Sequence, residues 1–170
     1  MRPLLIVFGG LPGTGKTTLA RQVAKIKNAA YVRVDTIEQA LRTSGEMDEL
    51  ATAGYLVAYG VACDILAGGI SVVADSVNPI AITRDAWRDV ARQTGADLFE
   101  VEVICSDASE HQRRIEERVA DIVGHKLPSW ADVVARTYEQ WDEAHLQIDT
   151  MNRSPDVCVS EVLLVLEAQA

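Results

Sequence analysis

Ten residues near the start constrain this chain more than any others. "GGLPGTGKTT", Gly9 to Thr18, directly follows the apolar run "LLIVF". Gly10, four residues and then Gly15-Lys16-Thr17 match the phosphate-binding loop G-x-x-x-x-G-K-[ST]. Glycines let phosphate oxygens approach the backbone, so the amides of Gly10, Leu11, Pro12, Gly13, Thr14, Gly15, Lys16, Thr17 and Thr18 are the stretch that would cradle a nucleotide (Pro12 lends shape only). A helix opening at that point adds its dipole. Lys16 would reach the β- and γ-phosphates, and the Thr17 hydroxyl would ligate Mg²⁺. The motif needs a strand before it and a helix after it. Leu4 to Phe8 and Thr17 to about Lys27 read as that pair.

The rest of the chain alternates in the same way. Strands are expected at "AAYVRV" ending at Val34, Ile70 to Asp75, "LFEVEVICS" and "LQID" ending at Asp149. Helices are expected over Thr36 to Arg42, the nearly all-apolar "GYLVAYGVACDILAGG", a segment with Trp87, Val90, Ala91 and Thr94 inward, and about Ser109 to Val123. "WADVVARTYEQWDEA" also reads as a helix, and a last one starts at Ser154 (N-cap) and Pro155. Between them "TSGEMDE" reads as a polar break and "GHKLPSW" as a loop. Five strands alternating with helices predict an α/β fold, a three-layer parallel sheet covered on both faces. At 170 residues a single domain, 1–170, is expected. Sites of such sheets lie at the carboxyl ends of the strands. That rule selects the loop, Asp35, Asp75 to Asn78, Ser106-Asp107 and Asp149 to Ser154.

The formal net charge of −9 argues against a nucleic-acid partner, which needs a cationic surface. No apolar stretch approaches a membrane span. Cleavage of the apolar start as a leader would destroy the phosphate loop, so a cytoplasmic protein is expected. Cys63, Cys105 and Cys158 show no metal spacing and read as buried thiols of a reducing compartment.

Phosphoryl transfer needs an acceptor oxygen in line and a group to take its proton. Asp35 ends the second strand and is read as that base, or as the N-cap of the following helix. Asp75 is read as a carboxylate serving Mg²⁺ or the acceptor, or as a cap of the "DSVNP" turn. Arg114 and Arg118, four apart on an expected helix, would share a face over the phosphates, or pair with Glu110, Glu116 or Glu117 in a solvated face. His111, His125 and His145 lack metal spacing and read as surface or loop residues. Trp130, Tyr138 and Trp141 read as packing residues, with an acceptor platform as the alternative.

"GLPGTGKTT", "VRVDTIEQAL", "VVADSVNP…R.AW" and "EHQRRIEER…LPSW" together resemble the P-loop small-molecule and polynucleotide kinases of the adenylate-kinase-like branch. In outline the chain is similar to chloramphenicol phosphotransferase and to the kinase domain of bacteriophage polynucleotide kinase. The resemblance implies sheet order 2-3-1-4-5, a small helical lid at about 109–130, Asp35 as base and Arg118 in the lid with Arg114 as its helper. "IDTMNRSPD" resembles the adenine-packing loop of gluconate and adenylylsulfate kinases, which implies Asn152 and Arg153 as nucleotide contacts. ATP and Mg²⁺ are the implied cofactors, and a small-molecule hydroxyl the implied acceptor. The polynucleotide enzymes carry an arginine three residues after the aspartate, whereas this chain has Glu38. A carboxylate there points to a neutral or cationic alcohol. Two other readings stand beside it: a polynucleotide 5′-hydroxyl kinase, and a nucleotide-dependent switch or ATPase without an acceptor.

Overall fold

A computed structural model describes residues 2–45 and 52–169. Part of the "TSGEMDE" break, and of the "SGEMDELATAGY" stretch that would shape an acceptor pocket, lies outside them. The elements run β1 (Leu4–Gly9), α1 (Lys16–Lys27), β2 (Ala30–Arg33), α2 (Val34–Ser44), α3 (Ala53–Ala67), β3 (Val72–Asp75), α4 (Ala81–Thr94), β4 (Asp97–Ile104), α5 (Ala108–Glu117), α6 (Trp130–Val134), β5 (Leu146–Asp149) and α7 (Pro155–Ala168). The five strands form one all-parallel sheet in the order β2-β3-β1-β4-β5, as the resemblance implies.

Period-two alternation divides β1 between two apolar layers. Ile6 and Phe8 pack with Leu19 and Val23 of α1 and with Val159 and Val162 of α7. Leu5 and Val7 face the opposite side, with Ala58, Ala62 and Leu66 of α3 and Trp87 and Val90 of α4. Covering both faces is what lets the strands be apolar on both. The register then aligns their carboxyl ends: Asp75 lies opposite Phe8 on one side and Arg33 on the other, and Ile104 opposite Asp149.

Two helical expectations are corrected. First, α5 stops at Glu117, and Arg118 takes an extended backbone (φ −66°, ψ 132°). Val119, which a continued helix would place on the inward stripe with Ala108, Ile115 and Ile122, is 86% exposed, and Val123 at the expected helix end is 96% exposed. Polar anchors win over helix propensity here, because Asp121 reaches across to Arg33 and Arg21. Second, α6 is a five-residue helix closed by a Ser129–Asp132 capping box, and the helix does not continue to residue 144. Buried Arg84 instead donates to the carbonyls of Glu139 and Gln140, supplying donors that a helix would otherwise supply to such carbonyls. The apolar helix α3 forms as expected, burying a narrow stripe of Gly54, Ala58, Ala62 and Leu66 while Leu56, Val57 and Val61 stay exposed. Of the cysteines, Cys158 is buried while Cys63 and Cys105 are half-buried. No helix among the described residues is long and apolar enough to cross a membrane.

Candidate active site

The phosphate loop turns sharply out of β1. Gly10 has φ 139°, and a Cβ there would run into the carbonyl oxygen of Val103. Gly15 is left-handed (φ 97°) and caps α1, so the first amides of the helix face the loop's hollow. The Gly10 amide donates to the Val77 carbonyl at 3.0 Å, tying the loop to the end of β3. Across the loop, His111 of α5 is buried and its Nε2 lies 2.7 Å from the Pro12 carbonyl. A carbonyl only accepts, so Nε2 carries the proton. This corrects the reading of His111 as a surface residue; its ring meets Trp130 edge to face, 5.2 Å between centroids.

Lys16 is 5% exposed, and burial pulls its ammonium pKa down, opposed by the charges of Asp75 and Asp35. Asp35 lies in the first turn of α2, with Arg33 at the N-cap position, so the N-cap role expected as its alternative does not arise. Its carboxylate is 3.4 Å from Arg33 and about a quarter exposed. Asp75 is buried: Oδ2 accepts from the Tyr31 hydroxyl at 2.6 Å, and Oδ1 is buried with no protein partner. The turn after it is held by Asn78, at φ 51°, whose amide groups meet Tyr55 and Phe8. A buried carboxylate oxygen without a partner implies water or an ion at that point.

Three hollows meet at the loop. One of about 330 Å³ is lined by Gly13, Gly15, Lys16, Thr17, Arg114 and Arg118. A second, about 240 Å³, continues past Thr18, Arg114, Thr150 and Arg153. The third, about 720 Å³, opens on the other side of Lys16 and Arg118 and is lined by Asp35, Glu38, Tyr55 and Lys126 among others. Lys16 and Arg118 thus stand between the first hollow and the third, while Arg114 stands between the first and the second. Arg114 is fixed by Thr150, donating to its hydroxyl at 2.8 Å and its carbonyl at 3.0 Å. Arg114 and Arg118 therefore do not share a helical face; the turn out of α5 brings both to the loop from different backbone. Arg153 reaches the second hollow, whereas Asn152 is an exposed turn residue (φ 53°) outside all three. Asp107 caps the start of α5, while Ser106 donates its backbone amide to Asp149 at 3.1 Å.

Mg²⁺ fits these residues. It holds to one or two carboxylates together with phosphate oxygens and waters, and demands no protein cage. Among the described residues no group of three or more His, Cys, Asp or Glu side chains forms such a cage, and the unpartnered Oδ1 of Asp75 supplies one oxygen beside Lys16.

Sequence reasoning missed the cluster around Arg33. This guanidinium, 3% exposed at the end of β2, lies 3.4 Å from Asp35, 3.8 Å from Asp75 and 2.8 Å from Asp121. Asp121 also accepts from Arg21 at 2.7 Å. The bond from Arg33, with help from Arg21, holds the Asp121 carboxyl at a pKa of about 2. Its pKa is below the ordinary 3.8, so its stabilising contribution is complete above about pH 4 and disappears as pH falls towards 2. Asp121→Asn should accordingly lose stability at pH 7 and gain nothing further in acid. Melting temperatures of both proteins between pH 7 and 2 should converge; parallel curves would contradict the pairing.

Glu38 is half-buried and pairs with Arg42 at 3.4 Å; burial raises its carboxyl pKa against the pull of Arg42. Beyond Lys16 and Arg118, the described lining of the large hollow carries Arg42, Lys126 and Arg136 against Asp35, Glu38 and Asp132. Glu38 is thus matched locally, and the charge argument for a neutral or cationic acceptor falls away.

Residues 5–143 match the family described as AAA domain. The chain is 28% identical to a shikimate kinase of Corynebacterium glutamicum, over 96% of each protein. It is 30% identical to an uncharacterized protein of Mycobacterium tuberculosis over 86% of this chain, which spans 31% of that longer protein. Among solved structures, the Mycobacterium tuberculosis APS kinase in complex with AMPPNP and APS superposes with TM-score 0.74, at 22% identity over 98% of both chains. A gluconokinase of Sinorhizobium meliloti gives 0.70, at 21% identity over 99% of this chain and 94% of that one. The phosphate loop, the 2-3-1-4-5 parallel sheet and the match over most of its length place this chain in the AAA domain family, with the fold of the P-loop kinases.

Proposed function

We propose that this P-loop, ATP-dependent kinase transfers the γ-phosphate of ATP to a hydroxyl of a small molecule, with Asp35 as the base. The observation that carries the reading is the shared wall: Lys16 and Arg118 face both the hollow against the phosphate loop and the large one that holds Asp35. An acceptor in the large hollow would sit between the base and the phosphoryl group, which is the arrangement that phosphoryl transfer needs.

Asp35 accepts the proton of the acceptor hydroxyl as its oxygen attacks the γ-phosphorus. The bond to the bridging oxygen breaks, and ADP leaves with that electron pair. Lys16, buried, and Arg118, half-buried, neutralise the charge on the transferring oxygens, and out of bulk water each charge is worth more. Thr17 and Asp75 are the residues that would hold Mg²⁺, which supplies charge neutralisation on the phosphates when bound. Arg114 and Arg153 would border the nucleoside. The segment 109–130 acts as the lid, and 1–170 works as one domain. That the named relatives include a shikimate kinase, an APS kinase and a gluconokinase supports a small acceptor.

A phosphotransfer screen over sugars, nucleosides, adenylylsulfate and hydroxylated antibiotics tests the reading, with a 5′-hydroxyl oligonucleotide at low salt as the comparison. The expected result is saturable transfer to a small alcohol and little labelling of the oligonucleotide. Efficient oligonucleotide labelling that Asp35→Asn removes would restore the polynucleotide reading.

A further inference from the structure

We infer that Arg33 is a positioning residue that joins lid docking to the placement of the base, through Asp121. The inference rests on the phosphotransfer reading of the site. Arg33 is rooted at the carboxyl end of β2, two residues before Asp35, and its side chain is 2% exposed. One guanidinium serves carboxylates from three parts of the fold. Nη2 faces Asp35 at 3.4 Å, Nε faces Asp75 at 3.8 Å, and the pair Nη1 and Nη2 grips both oxygens of Asp121 at 2.8 and 3.2 Å. The grip on Asp121 is two-pronged, the geometry that fixes a carboxylate in orientation as well as distance.

Asp121 lies three residues beyond Arg118, on the irregular segment after α5. Asp121 and Arg118 both line the 330 Å³ hollow at the phosphate loop. The segment between them has exposed apolar side chains, Val119 among them, and so has little burial to hold it in place. The two arginines on Asp121, Arg33 and Arg21, are therefore what seats Arg118 beside the loop. While Asp121 is docked, Arg33 shares its Nη2 between Asp121 and Asp35, and Asp35 keeps a long contact that leaves it turned to the cleft. Once Asp121 leaves, Arg33 closes on Asp35 as an ordinary ion pair and draws the base away from the acceptor. Lid seating and base readiness thus become one event. A sequence reading does not reach this, because residues 33 and 121 belong to separate elements and only the fold brings them together.

The test uses Asp121→Asn in the full chain, a partly exposed position where the fold should persist, with Arg33→Lys as a second variant that keeps the charge but cannot bridge. Hydrogen exchange of residues 118–125 is measured with Mg²⁺ and AMPPNP, a probe that reads the lid whether or not any acceptor is phosphorylated. ATP turnover to water is measured beside it, and so is affinity for AMPPNP. In Asp121→Asn we expect exchange over 118–125 to quicken about tenfold or more, turnover to fall about tenfold, and AMPPNP affinity to stay within about twofold. Because Asp121 acts partly by seating Arg118 and partly through Arg33 on Asp35, Asp121→Asn combined with Arg118→Ala should be slower than Arg118→Ala alone, but by less than the full tenfold. Exchange that is unchanged over 118–125, or losses that multiply in the double variant, would overturn the inference. Failure of the acceptor screen, with the exchange result as expected, would remove the kinase acceptor and leave the latch standing.

Discussion

Lys16→Ala is expected to abolish phosphotransfer, with a loss of roughly 10³-fold or more, the upper range for removing one group aimed at developing charge. The reason is where the structure holds this cation. It is 5% exposed, between the hollow at the phosphate loop and the one that contains Asp35, and burial already strains its charge. Asp75 and Asp35 oppose that cost by attraction, so the ammonium is held by the carboxylates of the site itself. Removing it takes the only buried lysine among the described residues from the point where the γ-phosphate would move, and leaves Asp75 closer to an unpaired buried charge. Turnover and ATP binding in the variant, measured beside its melting temperature, check this. Turnover at the wild-type rate would contradict the assignment of the loop.

Asp35→Asn is the second large effect. Asparagine keeps the size and the place in the first turn of α2 and removes only the capacity to accept the proton. A loss of roughly 10²–10⁴-fold in kcat is expected, the usual range for a general base. ATP affinity should hardly change, because Asp35 faces the large hollow and not the one at the loop. With the acceptor from the screen, kcat and the ATP dissociation constant are measured separately. An unaltered kcat would reduce Asp35 to a favourable charge at a helix start.

Much of this site was legible in the chain. A strand, a glycine loop and Lys16 in a fixed order specify a phosphate cradle through backbone geometry alone. Alternating strands and helices led to the parallel sheet, and the rule of carboxyl-end sites led to Asp35 and Asp75. These features are local, or repeat with a fixed period, and a sequence displays both. The order of the strands came from resemblance. Helix ends were the weak point. Residues 118–123 and 135–144 have helical patterns, yet Asp121 is drawn to Arg33 and Arg21, and Arg84 takes the carbonyls of Glu139 and Gln140.

The chain by itself therefore determined the phosphate loop, the α/β alternation and the edge that carries the candidate site, because each is written in neighbouring residues. The tertiary structure alone decided that His111 grips the Pro12 carbonyl and that one buried guanidinium serves Asp35, Asp75 and Asp121. Both sets bring together distant parts of the chain. Burial gives such contacts their strength, and burial exists only once the sheet and its helices have closed around them.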